Sequence, residues 1–143
     1  MSEPSAVADR GVLRVLVYSD DRSVRSELTA GLGTRLDARL PELVYVEVAT
    51  APMVFRHLDA GDVDLAILDG EAVPAGGLGV AKQARDEIDP CPPLVVITGR
   101  SDDSWLGSWS RADAVMPRPI DPIRLAQTLV DLLSDPAETR PST

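Results

Sequence analysis

At 143 residues the chain suits one domain, which at this size buries roughly 68–70% of its unfolded surface, and 44% hydrophobic with 26% charged residues is ordinary globular composition. Twenty-three acids against 14 Lys and Arg leave a net charge of −9, which argues against direct nucleic-acid binding, because that needs a basic face to displace counterions. No apolar run approaches the ~20 residues that span a bilayer, and the start, MSEPSAVADR, lacks the basic stretch and apolar core of a signal peptide, so the expectation is a cytoplasmic protein without membrane insertion.

Taken in order, residues 1–10 are rich in Pro, Ser, Ala and charge and read as a tail that frays in solution. VLRVLVY at 12–18 is a short run apolar on both faces, as expected of a strand in a parallel sheet covered by helices. A helix follows Asp21, with Val24, Leu28 and Leu32 four residues apart on one face. Residues 33–42 either extend that helix or form a longer crossover, and Pro41 stops either. VYVEV is the second strand, and a helix at about 51–60 closes at Gly61, which tolerates positive φ. VDLAILD leads to a helix using Leu78, Ala81, Ala84 and Ile88, with Gly76-Gly77-Leu78-Gly79 read as a flexible connection into it rather than a nucleotide loop, since the full glycine spacing is missing. PLVVIT and ADAVM complete five strands, with a fourth helical stretch between them that carries Trp105 and Trp109. The last helix opens on Asp121-Pro122, an N-cap acid before a first-turn proline, and turns Leu125, Leu129 and Leu133 inward. Residues 135–143 form a second tail around a single domain at 11–134. Strand and helix alternate five times, the pattern of a doubly wound α/β fold.

In an open parallel sheet, ligands gather outside the carboxyl ends of the strands. Asp20 and Asp21, Asp69, Thr98, and Arg118 before Pro119 all fall there. Three carboxylates held close together repel one another, which a divalent cation relieves. Mg²⁺ suits that role because it prefers hard oxygen ligands and bridges to phosphoryl groups. A central carboxylate can then act as nucleophile toward a phosphodonor, forming an acyl phosphate whose oxygens the hydroxyl and the cation would hold.

The order and spacing of these five positions make the chain resemble the receiver domain of two-component response regulators over roughly residues 12–134. The resemblance implies a flavodoxin-like (βα)5 fold with strand order 2-1-3-4-5. It implies Asp69 as phosphoacceptor, Asp21 as direct metal ligand with Asp20 beside it, Glu71 as the backbone carbonyl on the metal, Thr98 as switch hydroxyl, and Arg118 where the family places lysine, before a cis proline bond. The chain departs from the family in four places. Arginine replaces a compact ammonium with a planar fork; Val115 stands where the family has Tyr or Phe; Pro74 comes one residue late in the loop after Asp69, where Glu71 adds negative charge; and the stretch from Thr98 to Arg118 is about two residues short. The expectation is slow or weak phosphorylation.

By this reading the protein is a stand-alone receiver with no DNA-binding output domain, charged by a histidine kinase or phosphotransfer protein with Mg²⁺. It acts on a target protein or multi-subunit complex through the face of the fourth helix, last strand and last helix. Trp105 and Trp109, four apart, either pack on the core or offer a partner anchor there. It is not an enzyme beyond Mg²⁺-dependent self-phosphorylation and dephosphorylation at Asp69. The alternative is a pseudo-receiver, a phosphorylation-independent interaction module or accessory subunit, motivated by Arg118 and Val115. A third reading, a small Mg²⁺-dependent phosphohydrolase, is disfavoured because Gly70-Glu71 lacks the second aspartate such a site uses. His57 reads as a solvated helix residue and the lone Cys91 as an inert loop residue.

Overall fold

A computed structural model of the protein describes residues 11–99 and 109–134. Five parallel strands form one sheet in the order β2-β1-β3-β4-β5, with β1 at Val12–Tyr18, β2 at Glu42–Val48, β3 at Leu65–Asp69, β4 at Leu94–Thr98 and β5 at Ala114–Pro117. Four helices lie among the described residues: α1 at Arg22–Leu32, α2 at Ala51–Ala60, α3 at Gly77–Glu87 and α4 at Pro122–Ser134. This is the doubly wound, flavodoxin-like arrangement expected. The fourth helical stretch and Trp105 fall mostly or wholly outside the described residues.

Period-two alternation sorts the strand side chains onto two faces. Leu16, Tyr18, Ala66, Leu68, Leu94 and Val96 pack under α2 and α3 with Val54, Leu58, Val80, Ala81 and Ala84. Leu13, Val15, Val17, Leu65, Ile67, Val95 and Ile97 pack under α1 and α4 with Leu28, Leu32, Leu125 and Leu129. β3 and β4 are buried at every position because helices cover both faces, whereas β2, at the edge, leaves Val44 and Glu47 exposed.

Helix boundaries follow local chemistry. Asp21 caps α1, its Oδ1 accepting from the Ser23 backbone N–H at 2.9 Å and the Ser23 hydroxyl at 2.7 Å. Those two bonds hold its carboxyl below the usual carboxylate range. The helix ends at Leu32, where Gly33 adopts φ 73°, so residues 34–41 form a crossover loop and not a helical extension. Gly61 ends α2 in the left-handed conformation at φ 67°. Asp121 caps α4 through the Ile123 and Arg124 N–H groups at 3.0 and 3.3 Å. The residues of the Gly76-Gly77 pair cap and start α3, and their small size has a function in packing: a Cβ on Gly77 would lie 2.8 Å from the Asp69 carbonyl oxygen and 2.9 Å from the Leu68 carbonyl carbon. This segment is therefore a close-packed corner that presses α3 against the end of β3, and not a flexible connection.

Candidate functional site

Registers place the strand ends side by side. β1 pairs with β3 as Val17↔Ile67 and Tyr18↔Leu68, so one further step sets Ser19 level with Asp69. β3 pairs with β4 up to Asp69↔Ile97, and β4 with β5 up to Thr98↔Pro117, which brings Arg118 to the same edge. Parity then decides who meets whom. Ser19 and Asp69 continue the set of Val15, Val17, Leu65 and Ile67, which faces α1 and α4, and Arg118 continues the set of Ala114 and Met116 on that same side. Thr98 continues the opposite set, with Leu94 and Val96.

The geometry follows that sorting. Asp69 is 2% exposed. Its Oδ1 accepts from Arg118 Nη2 at 2.5 Å and from the Glu71 backbone N–H at 2.8 Å. Its Oδ2 accepts from the Ser19 hydroxyl at 2.7 Å. A buried carboxylate is tolerable only when paired and hydrogen-bonded, and here three donors supply both needs. Arg118 is joined to Pro119 by a cis peptide, as the resemblance implied. Its Nε is buried and has no hydrogen-bond partner among the described residues, so the guanidinium holds the carboxylate through Nη2 and keeps a desolvated donor for another acceptor. Thr98 is buried, with its hydroxyl 3.5 Å from the Met116 carbonyl.

The acids sit less tightly together than their spacing suggested. Asp21 is exposed and engaged as the α1 cap; Asp20 is exposed and accepts from the Val73 N–H at 3.1 Å. Among the described residues no group of three or more His, Cys, Asp or Glu side chains stands in a metal-holding arrangement. Arg118 supplies the buried carboxylate with its counter-charge. The donors present, all carboxylate or carbonyl oxygens, are nonetheless the type a hard divalent cation takes. Glu71 is exposed, and its carboxylate rests against Gly99, where a Cβ would come within 2.6 Å of Oε2. Val115 lies on β5 opposite Val96 and packs on the core under α2 and α3.

Three contributors were not identified from sequence. Ser19 is fully buried at the end of β1. Arg25 holds the Ser19 carbonyl with Nη1 at 2.6 Å while its Nε meets Glu47 Oε1 at 3.1 Å. Tyr18 donates to the Ala75 carbonyl at 2.5 Å, tying the loop after β3 to β1. Burial, followed by the charges of Asp20 and Asp69, raises the Tyr18 pKa. A hydroxyl ending an apolar strand next to an acid pair was the available signal for Ser19.

Trp109 is 49% exposed, whereas Trp105 lies outside the described residues. His57 faces Asp62 with Nδ1 3.1 Å from Oδ1, a local pair away from the strand ends. Cys91 is partly buried and packs at the margin of the core under α2 and α3. No helix among the described residues is long and apolar enough to cross a membrane.

No family model matches the chain. Two uncharacterized response regulatory proteins, from two strains of Mycobacterium tuberculosis, are each 58% identical to it over 125 residues, covering 87% of this chain and 94% of theirs. The receiver domain of a Francisella response regulator superposes with a TM-score of 0.73 at 13% identity, covering 87% of this chain and 98% of that one. A CheY-like response regulator receiver domain protein from Methanospirillum hungatei gives 0.68 at 19% identity over 90% and 99%. A Thermotoga maritima response regulator, solved in complex with Mg²⁺-BeF, gives 0.68 at 25% identity over 85% and 99%.

Proposed function

This chain belongs to the response regulator family, as a receiver domain, and on that basis we propose that Asp69 accepts a phosphoryl group and that the protein acts on a partner protein through surface contacts. The observation that carries this reading is the buried Asp69 carboxylate held by Arg118 Nη2, while the buried Arg118 Nε has no partner among the described residues. In the transfer, an Asp69 oxygen forms a bond to phosphorus while the phosphorus–nitrogen bond of a phosphohistidine donor breaks, leaving the imidazole on the kinase or phosphotransfer protein. The Arg118 fork then has a second acceptor for its desolvated donor, and the Glu71 N–H stays on Oδ1.

Mg²⁺ would be held by Asp20, Asp21 and Asp69 with the Glu71 backbone carbonyl, and would neutralise charge on the phosphoryl oxygens. Asp20 Oδ1 accepts from the Val73 N–H, so a cation held there would lie beside the loop after β3. No catalysis is proposed beyond gain and loss of the phosphoryl group at Asp69.

The ion pair itself favours a second reading. Arg118 already satisfies Asp69, and Val115 offers no ring to report on Thr98, so the domain also suits a phosphorylation-independent interaction module. Titration with Mg²⁺ and beryllofluoride, followed by amide NMR, separates the two. A saturable change that is absent from Asp69→Asn and spreads to β5 and α4 is expected for the acceptor. Wild-type spectra unmoved by beryllofluoride would leave the interaction module.

A further inference from the structure

We infer that the Ser19 hydroxyl restrains Asp69, stabilising its unmodified carboxylate and disfavouring bond formation at Oδ2; the inference rests on the reading of Asp69 as acceptor. The two carboxylate oxygens are not equivalent. Among the described residues, Oδ1 carries two donors, Arg118 Nη2 and the Glu71 N–H, whereas Oδ2 carries one, the Ser19 hydroxyl. Oδ2 therefore has the lone pair left for attack on phosphorus.

The proton of Ser19 is assigned by its neighbours. Its Oγ accepts from the Asp21 backbone N–H at 3.0 Å, and a carboxylate only accepts, so the hydroxyl hydrogen must point to Oδ2. The residue cannot easily turn away. It is fully buried, its N–H donates to the Val48 carbonyl at 3.2 Å, and Arg25 holds its carbonyl. When Oδ2 becomes an ester oxygen its negative charge is lost and it turns into a much weaker acceptor. The hydrogen bond thus favours the free carboxylate over the adduct, and an arginine already paired with Oδ1 leaves this hydroxyl as the group acting on the reacting oxygen.

Ser19→Ala is expected to bind beryllofluoride, in the presence of saturating Mg²⁺, roughly tenfold more tightly than wild type, the factor a hydrogen bond to a charged group commands. Ser19→Cys, which keeps the volume and donates weakly, should fall between them. Urea denaturation of Ser19→Ala, Asp69→Ala and the double variant gives the coupling without any adduct, expected to reach roughly tenfold in the folding equilibrium. A merely structural serine would lower stability and adduct affinity together, so the diagnostic result is lower stability with higher affinity. Equal or weaker beryllofluoride binding by Ser19→Ala, or absent coupling, overturns the inference while leaving Asp69 as acceptor. If the coupling is present but neither wild type nor variant binds beryllofluoride, the acceptor reading itself fails and the restraint, having no reaction to oppose, falls with it.

Discussion

Replacing Arg118 by methionine tests the ion pair that organises the site, without reference to phosphorylation. Methionine retains most of the unbranched stem that packs beneath the guanidinium, so the loss is chiefly electrostatic. Removing one partner of a fully buried pair costs about 3–5 kcal/mol, and one hydrogen bond to a charged group is worth about 1.5–3 kcal/mol. Two features push the value toward the lower range. The Arg118 side chain is 26% exposed against 3% for Asp69, and Asp69 keeps its bonds from Ser19 and the Glu71 N–H. A loss of about 2–3 kcal/mol is expected, read as a lower urea midpoint at unchanged m. In an Asp69→Asn background the same change should cost about 1 kcal/mol or less, because a buried amide needs no counter-charge. A cost below about 0.5 kcal/mol, equal in both backgrounds, would refute the assignment of Arg118 as the charge partner of Asp69.

Two glycines of one helix should respond in opposite directions. Gly77→Ala drives a Cβ into the Asp69 and Leu68 backbone and should destabilise by about 1–3 kcal/mol, whereas Gly79→Ala meets nothing within 4 Å and should stabilise by about 0.5–1 kcal/mol through helix propensity; urea denaturation of the pair decides, and equal effects would contradict the close approach of α3 to β3. The phenols make an alkaline prediction. Burial pushes Tyr45 up to about 12, and Tyr18 is raised as well, so an absorbance titration of the folded chain should lack the phenolate step expected near ~10, and Tyr45→Phe should remove the one at about 12. A raised pKa means that the folded form holds its proton more tightly, so the Tyr45 contribution to stability is complete below about 10 and is lost as pH rises through about 12.

The architecture was legible because strand and helix signals are local. The runs Leu65–Leu68 and Leu94–Ile97, apolar at every position, declare a sheet covered on both faces, and Asp21, Gly61 and Asp121-Pro122 mark helix ends by their own hydrogen-bonding and φ preferences. Segment 34–41 was not settled, since its composition suits helix or loop and Gly33 at φ 73° ends the helix only in the folded context. At Gly76-Gly77 the sequence is ambiguous because glycine signals both freedom and close packing, and the neighbouring Asp69 backbone distinguishes the two.

The strand ends, and hence the set of Asp20, Asp21, Asp69, Thr98 and Arg118 at one edge, can be read directly from the chain, because position along a strand is a one-dimensional property. The contacts within that set come from the three-dimensional fold. Register and parity lie in relations between strands, so they alone could bring Ser19 to one Asp69 oxygen and Arg118 to the other, leave Thr98 against Met116, and give Asp20 and Asp21 to backbone N–H groups of the β3–α3 loop and of α1. Where a lone carboxylate is buried, the fold must provide its counter-charge, and that requirement, invisible along the chain, set the arrangement around Asp69.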